Sequence, residues 1–341
     1  MNISETTEVV LPGVVEPSGL ELRTRELPPP GPGQALVAVE ASGVSFAEQA
    51  MRRGRYPGQP KFPFVPGYDV VGTVASVGPG ADPALVGRRV AAITKTGGWA
   101  THVLLAAGDL VPVPAGLDPG DAETVVVNGV TAWQMLHRRA RVRPGATILV
   151  HGANGGVGTT LAQLARLDDI RVIGTANPRH HDALRALGVI PLDHADPALA
   201  DRIRELAPGG VDAAFDNLGG DHLRRAWHLT ARGGSVVCYS IAAHQSGPMV
   251  PAFLVTLARL AIWNALPNGK QASFYDLWSG KKDIESFRSR TREDLTAVLD
   301  LLAAGRITAQ VAARVPLTDI GEAMTLAEAR TVPGKVVVVP A

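Results

Sequence analysis

The chain has 341 residues, more than one hydrophobic core usually organises, so two domains are expected. Hydrophobic residues make up 46% and charged residues 19%, which excludes a disordered chain, and a formal net charge of +1 gives no electrostatic reason to expect nucleic acid or an anionic membrane as partner. The single cysteine, Cys238, excludes an intrachain disulfide framework and any site built from several thiolates, and it fits a reducing cytoplasm.

The first residues, Met1-Asn2-Ile3-Ser4-Glu5, carry neither a basic segment nor an apolar run, so no signal peptide is expected. The next 120 residues or so read as short strands. Residues 20–24 and 35–40 alternate apolar and polar, and further runs cover 70–77, 89–93 and 101–105. Gly and Pro punctuate them at 28–33, 66–67, 78–80 and 97–98, a pattern that suits an irregular, partly closed β-barrel. The arginines at 138, 139, 141 and 143 have the spacing of a solvated helix end.

From about Asn128 strands and helices alternate: strands at 147–150, 171–174, 211–215 and 235–239, helices at 158–167 and 181–187. Alternation of this kind specifies a doubly wound, Rossmann-like parallel sheet, so the fold class is α/β. The apolar stretch 252–263 is broken by Arg259 and falls short of the ~20 residues of a spanning helix, so it reads as a packed or pocket-lining helix. Residues 263–278 concentrate Trp263, Phe274, Tyr275 and Trp278, which suits either a core edge or dimer interface, or a flat wall for a planar ligand. The last strand, 335–339, is expected to return to the first domain, giving domains 1–125 and 126–300 with a return at 301–341.

The strongest chemical signal is Val150-His151-Gly152-Ala153-Asn154-Gly155-Gly156-Val157-Gly158, directly after a strand and directly before a helix. Gly155 lets the backbone approach a pyrophosphate, Gly158 lets helix and strand pack closely, and the helix N-terminus offers amides to phosphate. Ala153 stands where the usual G-x-G-x-x-G has its first glycine, with Gly152 before it, which alters the turn and keeps the site. Dinucleotide contacts are therefore expected from Ala153, Asn154, Gly155, Gly156, Val157 and Gly158.

The second strand selects the cofactor. An NAD site places Asp or Glu at that strand's end, whereas this one runs Gly174-Thr175-Ala176-Asn177-Pro178-Arg179-His180. Arg179 offers a fork for a 2′-phosphate, with Asn177 and His180 as further donors, so NADPH is expected. The competing reading is that Arg179 merely caps the next helix in solvent. His151, at the strand end, reads as a packed histidine in preference to a catalytic base.

Four segments in this order resemble the zinc-independent quinone oxidoreductase branch of the medium-chain dehydrogenase/reductase superfamily. They are Gly43-Val44-Ser45-Phe46-Ala47-Glu48 leading to Arg52-Arg53-Gly54-Arg55-Tyr56-Pro57, Pro66-Gly67-Tyr68-Asp69-Val70-Val71-Gly72, the turn at 153–158, and Asp216-Asn217-Leu218-Gly219-Gly220. The likeness runs to Gly334-Lys335-Val336-Val337, and residues 249–292 look most like the subgroup of bacterial quinone-reductase-like proteins and synaptic-vesicle membrane protein homologues. It implies that the β-rich domain is GroES-like. Zinc members of the superfamily carry Cys where this chain has Ser45 and a His-Glu pair where it has Tyr68-Asp69, so no metal site is expected.

The resemblance implies hydride transfer from NADPH to a small conjugated acceptor, a quinone or an α,β-unsaturated carbonyl, whose delocalised charge needs only modest hydrogen bonding. By motif position it places Thr131, Tyr239 and Lys335 at the cofactor, and Tyr56, Tyr68 and Ser45 at the reacting end, with Glu48 lining the pocket. Quinone reductases usually have Asn and Asp at the positions of Ser45 and Glu48, departures that loosen quinone specificity. An enoyl-thioester reductase and a non-enzymatic NADPH-binding protein are the competing functions. A homodimer is implied through the edge strand near 271–276, and no membrane or nucleic-acid partner is expected.

Overall fold

The computed structural model describes residues 5–244, 247, 249–329 and 331–340. They form two units, 1–130 with 282–341, and 131–281. The first unit is β-rich as far as residue 112: β1 (Glu5–Val10), β2 (Glu21–Glu26), β3 (Gln34–Val44), α1 (Phe46–Arg52), β4 (Asp69–Val77), β5 (Arg89–Ile93), β6 (His102–Ala106) and β7 (Val111–Pro112). α2 (Pro119–Trp133) follows and crosses the boundary between the units.

The second unit holds β8 (Thr147–His151), α3 (Gly156–Leu167), β9 (Arg171–Ala176), α4 (His181–Ala186), β10 (Val189–Asp193), α5 (Leu199–Leu206), β11 (Val211–Asp216), α6 (Gly220–Leu229), β12 (Thr230–Cys238), α7 (Met249–Asn264) and β13 (Gln271–Phe274). The chain then re-enters the first unit with α8 (Ile284–Ala303), β14 (Val311–Pro316), α9 (Ile320–Ala329) and β15 (Lys335–Val339).

In the first unit the order is β14-β15-β3-β4-β5-β7, with β6 also paired to β3. β15 runs antiparallel to β3, Val337 opposite Gly43, so the C-terminal strand completes a sheet begun some three hundred residues earlier. The second boundary lies at 281/282 and not near 300, because α8 packs against β7 and the turn before it. Its buried residues, among others Leu295, Val298, Leu299 and Leu302, lie in the first unit.

The second unit is a six-stranded parallel sheet in the order β10-β9-β8-β11-β12-β13. Ile148, Leu149 and Val150 of β8 are fully buried, as a central strand covered on both faces requires. The order reverses between β8 and β11, so a crevice opens at the C-terminal ends of these strands. The expected α/β class, with a parallel sheet in one unit and a β-rich second unit, is the observed architecture.

Of the two expectations for α7, a packed or a pocket-lining helix, close packing does not hold. Only Thr256 and Leu260 are buried, while Val250, Leu254, Val255 and Ile262 are 57–66% exposed. Two residues at i, i+4 make too narrow a stripe to bury the other apolar residues of the helix. The aromatic segment is mostly the unit's own core edge: Trp263 stacks on Trp227 at 4.8 Å, Phe274 meets Phe253 edge-on, and the Tyr275 hydroxyl donates to Gln134 at 2.9 Å. Among the described residues no helix is long and apolar enough to cross a membrane.

Candidate active site

In the second unit, β8 ends at His151 and the chain turns through Gly152, at φ 65°, into α3. The turn is pinned by Ala153 N donating to the Thr175 carbonyl at 3.1 Å and Gly155 N to the Gly152 carbonyl at 3.0 Å. A side chain on Gly158 would place its Cβ 2.8 Å from the Cα and carbonyl oxygen of Ala153, so only glycine lets the helix sit this close. Ala153 is itself fully buried against Gly174 of β9. Gly155, the exposed N-cap of α3, has no side-chain cap, which leaves the first amides of the helix available to an anion.

Asn217, after β11, lies against Gly152, and its Oδ1 is buried with no hydrogen-bond partner among the described residues. That orphaned acceptor stands at the point where the strand order reverses, beside the glycine turn. The arrangement fits a dinucleotide: amides for the pyrophosphate, space kept by glycine, and a polar group still to be satisfied.

At the end of β9, Asn177 caps a short 3-10 turn by accepting from Arg179 N at 3.1 Å. Arg179 is exposed and its Nε donates to His180 Nε2 at 3.1 Å. Burial, then the charge of Arg179, lowers the pKa of His180, which keeps it neutral and able to accept. Tyr239 follows β12 and donates its amide to the Asp216 carbonyl, and burial raises its phenol pKa. Thr131 lies buried on α2.

Two buried groups beside the turn titrate in opposite senses. His151 donates to or accepts from Thr175 Oγ1 at 3.0 Å, and burial, then His222 and Arg225, pushes its pKa down to about 3. Asp216 accepts from Gly219 N at 2.6 Å, and burial pushes its carboxyl up to about 7 against those backbone donors. The folded state therefore binds fewer protons than the unfolded state at His151 and more at Asp216. His151 contributes stability that is present above the unfolded value of about 6.5 and lost as pH falls toward 3. Asp216 contributes stability that is present below about 3.8 and lost as pH rises through 7. Urea unfolding between pH 4 and 7 is expected to gain opposite slopes from single replacements: His151→Gln lowers the gain in stability with rising pH, Asp216→Asn increases it. Equal slopes in both variants and the parent would contradict these assignments.

The first unit brings Ser45, Glu48, Tyr56, Tyr68, Asp69, Glu123 and Lys335 together. Ser45 is the N-cap of α1: its Oγ accepts from Ala47 N at 3.0 Å, and the Glu48 carboxylate accepts from Ser45 N at 2.8 Å and from its hydroxyl. The other Glu48 oxygen accepts from Tyr68 N at 2.6 Å, so one buried carboxyl ties the α1 cap to the strand entry at β4. Burial, then the charge of Asp69, raises its pKa. The Tyr56 and Tyr68 hydroxyls are 2.7 Å apart, with their rings edge-on at 5.9 Å.

Lys335 is 4% exposed, with Nζ 2.7 Å from Asp69 Oδ2 and in an ion pair with Glu123. Burial, then Asp69, raises Glu123 well above the usual carboxylate range. Burial alone would lower Lys335, but its two carboxylates outweigh that and hold the ammonium charged. Gly43 makes room for the cluster: a Cβ there would overlap Lys335 and Glu123. The sequence reading passed over Glu123; the available signal was a carboxylate among Ala122, Val125 and Val126.

Zinc needs thiolate, imidazole or free carboxylate donors. Ser45 is committed to a cap, Tyr68 pairs with Tyr56, and Asp69 is held by Lys335. Cys238 lies buried in β12 of the other unit with its thiol pKa raised by burial. These donors do not fit a zinc ion.

A glycine turn at the switch point of a parallel sheet, in a chain that also folds a β-rich unit, defines a dinucleotide-fold oxidoreductase. Residues 184–338 match the zinc-binding dehydrogenase family model and residues 31–115 the alcohol dehydrogenase GroES-like domain. The chain is 32% identical to the rat synaptic vesicle membrane protein VAT-1 homolog over 94% of its length and 80% of the relative's. A Pseudomonas syringae quinone oxidoreductase superposes with TM-score 0.86 at 26% identity, covering 98% of this chain and 100% of that one. A mycobacterial protein solved in complex with NADPH superposes with TM-score 0.84 at 30% identity, again over 98% and 100%. The chain belongs to the quinone oxidoreductase branch of the medium-chain dehydrogenase/reductase superfamily.

Proposed function

We propose that the protein is a zinc-independent, NADPH-dependent reductase of a quinone or another conjugated carbonyl. The observation that carries this reading is the Tyr56–Tyr68 hydroxyl pair, in a unit whose described residues include no group of three or more His, Cys, Asp or Glu side chains able to hold a metal ion. Two phenols at hydrogen-bond distance place O–H donors side by side. A hydroxyl of this pair can donate to an acceptor oxygen as negative charge develops on it, which suffices for a conjugated system and not for a simple ketone. NADPH, when bound, supplies the hydride. The α3 amides and the glycine turn hold its pyrophosphate, and Arg179, with Asn177 and His180, holds the 2′-phosphate.

Glu48 acts as a positioning residue, since it fixes both Ser45 and the backbone of Tyr68. Lys335 and its carboxylates anchor the strand entry that carries Tyr68. A cytoplasmic homodimer goes with the lone free thiol, the open β13 edge and the apolar side of α7.

The test follows NADPH oxidation at 340 nm with quinones, free enones, enoyl-thioesters and simple aldehydes, with NADH and a zinc chelator alongside. Chelator-resistant turnover of a conjugated acceptor is expected, and enoyl-thioesters as the best substrates would move the assignment to an enoyl reductase. Absence of turnover on every acceptor, with NADPH still bound, would leave a non-enzymatic binding protein.

Tyr56→Phe and Tyr68→Phe are each expected to lower kcat by about 10- to 100-fold while the NADPH KM stays within about twofold. Full turnover by both variants on every accepted substrate would remove the hydroxyls from the chemistry. Arg179→Ala should raise the NADPH KM about tenfold or more and leave that for NADH unchanged. An unchanged NADPH KM would assign Arg179 to the helix end alone.

A further inference from the structure

The arginines between 138 and 143 are exposed at a helix end, as their spacing predicts, and that end has an unusual geometry. α2 runs into a π-helical segment, Gln134–Ala140, whose wider turn is rare and recurs at functional positions. The segment is closed by Arg141 in the left-handed region at φ 49°, where an L side chain is held only by its surroundings. Arg138, Arg139, Arg141 and Arg143, together with Arg232 on β12, line one cavity of about 870 Å³ in the second unit. Asp212 is the only carboxylate of the lining, and its Oδ2 already accepts from Thr147 N at 2.8 Å. Among the described residues no carboxylate pairs with Arg139, Arg141, Arg143 or Arg232.

Like charges gathered around a concavity repel one another unless an anion enters. The cavity also touches Ala146, Asp212 and Gln271, where β8, β11 and β13 begin, whereas the glycine turn leaves the far end of β8. Five residues of strand separate the two ends of β8, about 16 Å at the usual rise. The cavity is therefore distinct from the dinucleotide site. We propose that it is a second anion site, for a small ligand carrying two or more phosphate groups. Guanidinium forks match phosphate oxygens bidentately, and the volume exceeds what a single orthophosphate fills.

Calorimetric titration of the full chain with tripolyphosphate, with and without saturating NADPH, tests this. Binding that weakens as salt rises and is indifferent to NADPH is expected. Arg139→Ala/Arg232→Ala should weaken it about tenfold or more, with NADPH affinity unchanged, and Arg139→Lys/Arg232→Lys should retain part of it and report that the fold is intact. Tighter binding of ATP than of tripolyphosphate would identify a nucleotide as the ligand; equal binding would identify the phosphates alone. No binding at millimolar tripolyphosphate, equal affinity for orthophosphate, competition with NADPH, or full affinity in the alanine variant would each overturn the proposal.

Discussion

Replacing Lys335 by methionine is expected to cost about 3–5 kcal/mol of stability, read from the urea-unfolding midpoint at pH 7. The ammonium is buried 2.7 Å from Asp69 and paired with Glu123, so its removal leaves two buried carboxyls with no cation. Both cannot ionise together there, and one must be protonated or the strand entry at β4 must open. The methionine fills the same volume, which separates the charge effect from a cavity. Adding Asp69→Asn to Lys335→Met should restore part of the loss, because the double variant buries one carboxyl without a cation in place of two. A shift below about 1 kcal/mol in the single variant would mean that the cluster is neutral without its lysine.

A second large effect is expected at the turn before α3. Gly158→Val forces Cβ to within 2.8 Å of backbone atoms of Ala153, which no side-chain motion relieves. A strain of about 2 kcal/mol or more translates into roughly thirtyfold weaker NADPH binding, measured by quenching or enhancement of nucleotide fluorescence. Gly155→Ala is the informative partner. A Cβ at Gly155 meets only the Gly152 carbonyl oxygen at 3.4 Å, an ordinary contact, so the fold tolerates it. The same methyl would stand where the pyrophosphate approaches. Thermal stability should therefore fall in Gly158→Val and hold in Gly155→Ala, while both lose nucleotide. Unimpaired NADPH binding by Gly155→Ala would place the phosphates elsewhere.

What could be read from the sequence tracks how local each feature is. The turn from His151 to Gly158 is set by contiguous residues, and its glycines act on neighbours a few positions away. The parallel sheet was legible because buried strands such as 147–150 alternate with helices such as 158–167, and the order of the motifs along the chain carried the family. The α1 cap was written in Ser45-Phe46-Ala47-Glu48, a capping box, although family position drew attention to Ser45 as a reacting group instead. The exposure of α7 was not legible, since an apolar helix reads alike whether its faces are covered or open.

The sequence alone determined the fold class, the dinucleotide turn and the lack of cysteine and histidine where zinc relatives have them, because each depends on residue type at short range. The tertiary structure decided what Lys335 does: it meets Asp69 across 266 positions, and burial raises the pKa of the Glu123 carboxyl beside them. It also decided the pairing of Tyr56 with Tyr68 and the gathering of Arg232 with the arginines after α2. Charge and hydrogen bonding act through space, and their strength depends on how much water the fold excludes, which no stretch of sequence specifies by itself.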